Sequence, residues 1–428
     1  MSGVGIGIGP GRIDFLGGVA DYSGSLVLQV ATSVCTTATA SLILSTDDLC
    51  EFSSEGFGSP VKISLSHIRS ICSSSIDGHK SIELLDIKRF LEDEKTPFFA
   101  RYMFGCVAAF TKETGWLPPA GSSIRITVTS TVPASQGVSS SASIEIATLR
   151  SIEALSGISI SSKLRCAHIA QSVENYVVGA PCGLMDQLAS ALGAPGSVLP
   201  IFCRPDDVRS ILPMPESVIV VGWPSGIKHS VSGSPYLVAR TATFMGKKIA
   251  EKLLGRTVKH VAELAPSEVY PVLDQVPETF LGADFIAQYG GVDDKLSVIE
   301  PETKYSTRNS LKFPIEESFR GSIVLSLLQS LQGIVSADYR TNALSQIGEL
   351  MRQTHRGYTS IGLGCHETDI MLDRLAELGV SKGIYGARMS GGGSGGTVVV
   401  LLEKDSLPYL EKLANELVFC DKFTGLIM

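Results

Sequence analysis

The sequence predicts an α+β protein of two domains, and three observations support this. The chain has 428 residues, a length that commonly forms more than one domain. Hydrophobic residues make up 44% of it, enough apolar mass for two cores. Helix-period and strand-period segments alternate along the chain, and this mixed order is typical of α+β proteins.

In the first half, residues 25–44 are rich in β-branched side chains and predict strands. Residues 124–130 alternate between apolar and polar types, which indicates a half-buried strand. Apolar residues at helical spacing then predict helices over 144–155, 163–177 and 185–192.

In the second half, residues 198–202 and 218–221 predict strands on either side of a polar, proline-containing stretch around 204–207. We place the domain boundary in that stretch, which gives domains 1–205 and 206–428. The later elements alternate in the same way: helices are predicted near 236–254, 338–354 and 366–378, and strands near 384–389 and 397–402.

Composition and charge exclude several classes of function. The net charge is −7 and no Lys/Arg-rich run occurs, so no nucleic acid partner is expected. Nine cysteines, an odd number without a Cys-x-x-Cys pair, favour free thiols in a reducing compartment over a disulfide framework or a zinc site. The N-terminus does not resemble a signal peptide and no stretch is apolar enough to span a bilayer, so we expect no membrane partner and a cytoplasmic location. The oligomeric state is left open.

A serine-rich loop, Pro133 to Ser143, lies between a predicted strand and a predicted helix. The first backbone amides of a helix lack acceptors and face the positive end of the helix dipole, so they bind phosphate well. Gly137 allows close backbone approach, and Ser139, Ser140 and Ser141 add hydroxyl groups. The alternative is a capping loop without a ligand. No Gly-x-x-x-x-Gly-Lys-Ser/Thr sequence is present, so this is not a P-loop NTPase.

Two further glycine-rich segments stand near the ends of the chain. Residues 390–396 contain Gly-x-Gly-x-x-Gly, but a predicted strand follows, so the dinucleotide interpretation is excluded. Such a run marks either a hairpin connection or the close approach of a ligand or backbone. Near the N-terminus, Arg12, Asp14 and Asp21 are set among glycines, which indicates either a buried ion pair or a binding site.

Together, these three segments resemble the signature motifs of the GHMP kinase family, in the family's order and over nearly the whole chain. Residues 174–187 resemble the galactokinase segment that holds the catalytic aspartate. Residues 229–240 resemble the segment with a sugar-contacting tyrosine, and within them His229 is expected to be structural rather than catalytic. Residues 17–29, 179–183 and 391–397 are similar to the kinase portion of plant-type L-arabinokinases. Those proteins carry a glycosyltransferase-like region upstream that is not part of this sequence. Two alternatives stay open: a protein with the kinase function alone, or a longer protein of which this is the kinase portion.

The resemblance implies a fold and a reaction. The fold would be the two-domain GHMP kinase fold, with a ribosomal protein S5 domain 2-like N-terminal domain and a ferredoxin-like C-terminal domain. The reaction would use ATP and Mg²⁺ to phosphorylate the anomeric hydroxyl of a small monosaccharide. The residues implied to contact ATP are Pro133, Gly137, Ser139, Ser140, Ser141, Ser143, Gly392, Gly393 and Ser394.

The remaining roles follow from the same resemblance. Ser140 and Glu174 would hold magnesium, Asp186 would accept the proton of the sugar hydroxyl, and Arg12 would lie beside it and steady negative charge. As structural alternatives, Asp186 is a helix N-terminal acid and Glu174 lies on a solvated helix face. The residues implied to contact the sugar are Asp21, Gly18, Val19, Gly183 and Tyr236.

The first motif also bears on the choice of sugar. Galactokinases typically read Gly-Glu-His-x-Asp where this sequence has Gly17-Gly18-Val19-Ala20-Asp21. By resemblance, the missing Glu and His contact the 6-hydroxyl, a group that L-arabinopyranose lacks. A buried hydroxyl without a partner costs about 1–3 kcal/mol, so conversion of L-arabinose to L-arabinose 1-phosphate is predicted. Galactose and galacturonate are alternatives. A non-catalytic sugar sensor is less favoured, because the magnesium and base residues are present.

Overall fold

A computed structural model of the protein describes residues 3–73, 83–180, 182–204, 207–227, 234–417 and 419. The chain forms two compact units that interleave in sequence. Unit 1 comprises Met1–Gly11, Thr32–Pro133 and Ser139–Leu192, and unit 2 comprises Arg12–Ala31, Ala134–Val138 and Gly193–Met428. The predicted boundary at 205/206 lies outside the described residues and stays a prediction.

Unit 1 contains a mixed sheet, with both antiparallel and parallel strand pairs. Its strands come from β1 (Val4–Leu16), β2 (Leu26–Leu44), β3 (Leu49–Ser54), β4 (Val61–Ser64) and β5 (Ser122–Ser130). Residues 36–44 of β2 pair antiparallel with β5, β5 pairs parallel with β3, and β3 pairs antiparallel with β4. The strands predicted at 25–44 and 124–130 are therefore confirmed.

The helices of unit 1 bury the apolar face of this sheet. They are α1 (Ser66–Ser73), α2 (Leu84–Asp93), α3 (Phe98–Thr114), α4 (Ser140–Ser156), α5 (Lys163–Val173) and α6 (Met185–Leu192). The predictions for α4 and α6 are confirmed. The helix predicted over 163–177 is α5 followed by a π-helical turn, Glu174–Val178.

The glycines of β1 allow α4 to lie directly on the strand. A Cβ atom on Gly7 would be 2.1 Å from the carbonyl oxygen of Ala147, and Gly5 and Gly9 meet the α4 backbone at similar distances. Any larger residue would force the helix away from the strand. The position of α4, whose N-terminus follows the serine-rich loop, therefore depends on these glycines.

Unit 2 contains a three-stranded antiparallel sheet and the remaining strand pairs. In the three-stranded sheet, β13 (Thr397–Glu403) lies between β9 (Val218–Pro224) and β12 (Ile384–Met389). Residues 26–30 of β2 pair antiparallel with residues 198–202 of β6. These findings confirm the strands predicted in the second half. The other strand bounds are β6 Ser197–Phe202, β7 Asp207–Val208, β8 Leu212–Pro213, β10 Phe280–Leu281 and β11 Lys304–Tyr305.

The helices of unit 2 pack on one another and on the three-stranded sheet. A Cβ atom on Gly348 would lie 1.9 Å from the Tyr385 carbonyl oxygen, so the helix that contains Gly348, α11 (Ala337–Ser360), approaches β12 closely at a glycine. The helices predicted near 236–254, 338–354 and 366–378 are confirmed. The bounds are α7 Ser234–Leu254, α8 Pro266–Leu273, α9 Gly282–Tyr289, α10 Thr307–Ser330, α11 Ala337–Ser360, α12 His366–Leu378 and α13 Leu407–Glu416.

Candidate functional site

The residues predicted to form the site are divided between the two units, and unit 2 holds Arg12. Its guanidinium donates a hydrogen bond to the carbonyl oxygen of Gly137 at 2.6 Å. Its backbone N–H donates to the carbonyl oxygen of Val138 at 3.1 Å. Arg12 therefore holds the middle of the predicted phosphate loop by two bonds.

The third glycine-rich segment, residues 390–396, packs against the same part of the phosphate loop. A Cβ atom on Gly391 would lie 2.8 Å from the carbonyl oxygen of Gly137. Thr397 Oγ1 donates to the carbonyl oxygen of Gln136 at 2.7 Å. The close backbone approach that the glycines predict is thus present, and its partner within unit 2 is the phosphate loop.

Within that segment, Gly392 is half-buried and the two residues after it have positive φ. Gly393 has φ +83°, and a Cβ atom there would be 2.6 Å from the side chain of Leu363. Ser394 donates its backbone N–H to the carbonyl oxygen of Leu363 at 2.8 Å. Their contact with ATP stays a prediction.

Asp14 and Arg388 form a fully buried ion pair in unit 2. Arg388 Nη1 donates to Asp14 Oδ2 at 2.8 Å, and both side chains have 0% exposure. Asp14 Oδ1 accepts bonds from the Gly18 N–H at 3.0 Å and from Gln29 Nε2 at 2.7 Å. Burial by itself raises the pKa of Asp14, but the charges of Arg388 and Arg12 outweigh it and hold that pKa below its usual value. Of the two alternatives predicted for these charges, a buried ion pair or a binding site, Asp14 forms the buried ion pair.

Tyr358 occupies the space next to Gly18 that a larger side chain would need. A Cβ atom on Gly18, which has φ +47°, would lie 1.6 Å from Tyr358 Oη. That hydroxyl accepts the Val19 N–H at 3.1 Å and donates to the carbonyl oxygen of Gly391 at 2.6 Å. The tyrosine hydroxyl therefore occupies the space that a side chain at position 18 would take, and the predicted sugar contact of Gly18 stays a prediction.

Val19 and Tyr236 belong to one apolar cluster. Val19 is 2% exposed and packs in a cluster that also contains Tyr236, Tyr358 and Met389. The side chain of Val19 is therefore part of the core of unit 2, and its predicted sugar contact stays a prediction, as does that of Tyr236. His229 and its neighbours 228–233 lie outside the described residues.

Asp21 lies beside a group of aromatic and charged side chains that includes Tyr236, which was predicted to contact the sugar. Its Oδ1 accepts the Tyr22 N–H at 2.7 Å, and the Tyr22 ring packs edge-on against Tyr236 at 6.1 Å. Arg240 stacks over Tyr22 at 5.1 Å and donates two bonds to Asp294 at 2.8 and 3.0 Å. Asp21 is thus a buried carboxylate, 5% exposed, next to aromatic rings. That setting suits a sugar hydroxyl.

In unit 1, Asp186 is held by the serine-rich loop. Asp186 is the second residue of α6, and its Oδ2 accepts a hydrogen bond from Ser139 Oγ at 2.5 Å. Ser139 is the N-cap position of α4 with φ +59°, and its side chain makes no capping bond. The hydroxyl of Ser139 therefore bonds to the Asp186 carboxylate and does not cap α4. The spacing of the motifs gave no signal for this bond.

The other loop residues have different surroundings. Ser143 is fully buried, and its hydroxyl bonds to the Gly9 carbonyl oxygen at 2.6 Å and to Thr36 Oγ1 at 2.7 Å. Pro133 is half-buried between β5 and α4, and Gly183 is half-buried in the segment that leads into α6. Their predicted ligand contacts stay predictions.

Glu174 is buried and accepts hydrogen bonds from several donors, so the solvated-face alternative is wrong. Gln187 Nε2 donates to its Oε2 at 2.6 Å, and Ser141 and Cys182 also donate to the carboxylate. Burial, with the charge of Asp186, raises the pKa of Glu174 to about 7 despite these hydrogen bonds.

The surroundings of Glu174 fit a magnesium ion. No Lys or Arg within the described ranges forms an ion pair with this buried carboxylate, so a bound cation would compensate its charge. The hydroxyl of Ser140, the first residue of α4, and the carboxylate of Glu174 are oxygen donors, which magnesium prefers. No set of three or more His, Cys, Asp or Glu side chains in the described part of the chain could hold a metal.

Comparisons with known proteins agree with this geometry. The sequence profile of the GHMP kinases N-terminal domain matches residues 101–194, and that of the GHMP kinases C-terminal domain matches residues 334–416. L-arabinokinase from Arabidopsis thaliana is 30% identical over 445 residues, which cover 92% of this chain but 42% of that protein. Galactokinase from Homo sapiens is 28% identical over 411 residues, covering 95% of this chain and 86% of that protein.

The fold has a solved counterpart. The crystal structure of Lactococcus lactis galactokinase in complex with galactose superposes with a TM-score of 0.71 and 19% identity, covering 97% of this chain and 89% of that chain. The two matched domain profiles place the chain in the GHMP kinase family, and the relatives named above are an arabinokinase and a galactokinase. The predicted fold class, the two-domain GHMP kinase fold, is confirmed.

No described helix is both long and apolar enough to cross a bilayer.

Proposed function

We propose that this protein is an ATP-dependent sugar 1-kinase. The observation that carries the proposal is the Asp186 carboxylate at the start of α6, held at 2.5 Å by a hydroxyl of the serine-rich loop. A carboxylate in this setting accepts the proton of an attacking hydroxyl, while the amides at the N-terminus of α4 bind phosphate oxygens.

In the proposed reaction, the anomeric oxygen of the sugar attacks the γ-phosphorus of ATP. The bond from that phosphorus to the β,γ-bridging oxygen breaks, and ADP leaves with the electron pair. Asp186 takes the proton of the anomeric hydroxyl, and Ser139 keeps the carboxylate oriented. Arg12 steadies negative charge on the reacting oxygen. The product is a sugar 1-phosphate.

The magnesium ion would be held by Ser140 and Glu174. When bound, it neutralises charge on the phosphates of ATP. Glu174 supplies a carboxylate that its hydrogen bonds fix in place. Ser140 supplies a hydroxyl at the first residue of α4, where the phosphate-binding amides also lie.

The preferred sugar is proposed to be L-arabinose. Asp21 matches the aspartate of the galactokinase motif and would bind ring hydroxyls of the sugar. The Glu and His of that motif are replaced by Gly18 and Val19. With Tyr358 Oη against Gly18 and Val19 in an apolar cluster, these two positions present no carboxylate or imidazole to a 6-hydroxyl. Galactose and galacturonate are the second candidates, and a non-catalytic sugar sensor is the third.

The test is ADP release coupled to detection of sugar phosphate, with magnesium and L-arabinose, D-galactose, D-galacturonate or D-glucuronate. Asp186→Asn removes the proton acceptor and is expected to lower kcat by about 10²- to 10⁴-fold. Ser190→Ala, a buried residue on the same helix, is the matched control and should retain wild-type turnover. Turnover on galactose that equals that on L-arabinose would overturn the proposed preference. Absence of turnover on every sugar would favour the sensor.

A further inference from the structure

Two buried polar side chains next to Glu174 have no role in the reaction described so far. Glu145 lies in α4 and Gln187 in α6, and both have 0% exposure. Each keeps one buried oxygen without a hydrogen-bond partner, Glu145 Oε1 and Gln187 Oε1. Buried polar atoms without partners are uncommon and destabilising, so the pair calls for an explanation beyond packing.

One amide group joins two carboxyl groups. Gln187 Nε2 donates to Glu174 Oε2 at 2.6 Å and reaches Glu145 Oε2 at 3.3 Å. A glutamine amide carries two N–H donors, so both bonds form at once. The short bond fixes the rotation of the Glu174 carboxylate, and the longer bond keeps the amide from rotating away from it.

Glu145 adds a second carboxyl group where an apolar side chain would be easier to bury. Burial, reinforced by the charge of Glu174, raises the pKa of Glu145 well above its usual range. An apolar residue of similar volume avoids the cost of burying this group. Glu145, unlike an apolar residue, provides a hydrogen-bond acceptor for Gln187 Nε2.

We propose that Gln187, anchored by Glu145, is a positioning residue that orients Glu174 for magnesium. The inference rests on the proposed magnesium site. Groups that hydrogen-bond to a metal ligand fix its orientation, and their loss typically weakens metal affinity by about 10- to 100-fold. Neither Gln187 nor Glu145 contacts the metal in this proposal, and both act through the Glu174 carboxylate.

The direct test is binding of Mn²⁺ to the full chain with a non-hydrolysable ATP analogue, followed by electron paramagnetic resonance. Gln187→Leu removes the amide at similar volume and is expected to weaken Mn²⁺ binding by about 10- to 100-fold. Ser190→Ala removes a buried hydroxyl one turn further along the same helix and serves as the matched control, with unchanged binding expected.

A second pair of variants separates positioning from general damage to the fold. Glu145→Gln keeps an oxygen acceptor for Gln187 and should bind Mn²⁺ like the wild type, whereas Glu145→Leu should bind it more weakly. Thr148→Val, at another buried position of α4, is the control. In steady-state kinetics, Gln187→Leu should raise the KM for the magnesium complex of ATP without changing the KM for the sugar. Circular dichroism reports whether each variant folds.

The outcomes separate the two proposals. If the wild-type protein binds Mn²⁺ and Gln187→Leu binds it equally well, the positioning inference is overturned and the magnesium site stands. If the wild-type protein binds no Mn²⁺ with nucleotide, the magnesium site fails and the inference fails with it. If Gln187→Leu does not fold, the two Glu145 variants decide, and equal Mn²⁺ binding by both contradicts the inference.

Discussion

Asp14→Asn should strongly destabilise the protein, because it leaves a buried arginine without its counter-charge. Asp14 accepts bonds from Arg388, Gly18 and Gln29, and the ion pair has 0% exposure on both sides. An asparagine has one oxygen and one NH₂ group in place of two oxygens. Whichever way it turns, its NH₂ group faces another donor, either Arg388 or the Gly18 and Gln29 donors.

The expected magnitude follows from the geometry. Removing one partner of a buried ion pair typically costs about 3–5 kcal/mol, because the remaining charge stays buried and uncompensated. We therefore expect Asp14→Asn to lower the free energy of unfolding by about 3–5 kcal/mol at pH 7. Urea unfolding followed by fluorescence measures this. Glu377→Gln, which removes an exposed carboxylate paired with Arg374, is the control and should change stability by less than about 0.5 kcal/mol.

The pH dependence gives the sign of the effect independently. The folded-state pKa of Asp14 lies below its unfolded value, so its contribution is present above the unfolded pKa and is lost as pH falls through the folded pKa. The stability difference between the wild type and Asp14→Asn should therefore shrink in acid. A loss below about 1 kcal/mol at pH 7, or a difference that grows as pH falls, would refute the reasoning.

Four further predictions follow from particular contacts. Gly18→Ala should destabilise by about 2–4 kcal/mol in thermal unfolding, because its Cβ would meet Tyr358 Oη and its φ is positive; an unchanged Tm would contradict the described packing. Because the pKa of Glu174 is raised to about 7, magnesium affinity should fall about tenfold per pH unit below 7, and Glu174→Gln should remove that dependence in magnesium titrations. Without metal, the same raised pKa should make the free energy of unfolding fall as pH rises from about 4.5 to 7, with no further fall above pH 7. Urea unfolding across that pH range measures this. Gly348→Ala should destabilise by about 1–3 kcal/mol, since α11 would be pushed from β12, and denaturant midpoints measure this.

Elements with a regular period were predictable from the sequence, and elements that break their own pattern were not. The helices at 185–192 and 366–378 and the strand at 384–389 match the structure because their apolar spacing is undisturbed. β1 has glycine at alternate positions, a residue that disfavours strands, and only the packing of α4 explains it. α10 contains Pro314 in its interior, which in a sequence argues against a continuous helix.

The candidate site divides in the same way. The loop and the carboxylates could be named as candidates because their residues lie close together in sequence within motifs. Arg388 and Tyr358 were missed because each meets the first motif across more than 300 residues of chain, and no local pattern marks such a contact. Gln187 is the last residue of the 174–187 segment, yet its bond to Glu174 depends on the placement of α6 beside the π-helical turn.

The central claim is that phosphate is transferred to the anomeric oxygen with Asp186 as the proton acceptor. The most direct measurement is ³¹P and ¹H NMR of the product formed from L-arabinose and ATP, by the wild type and by Asp186→Asn. The account predicts a phosphorus signal coupled to the anomeric proton with the wild type, and little or no such product with the variant. A phosphate on another hydroxyl, or equal product formation by the variant, would contradict it.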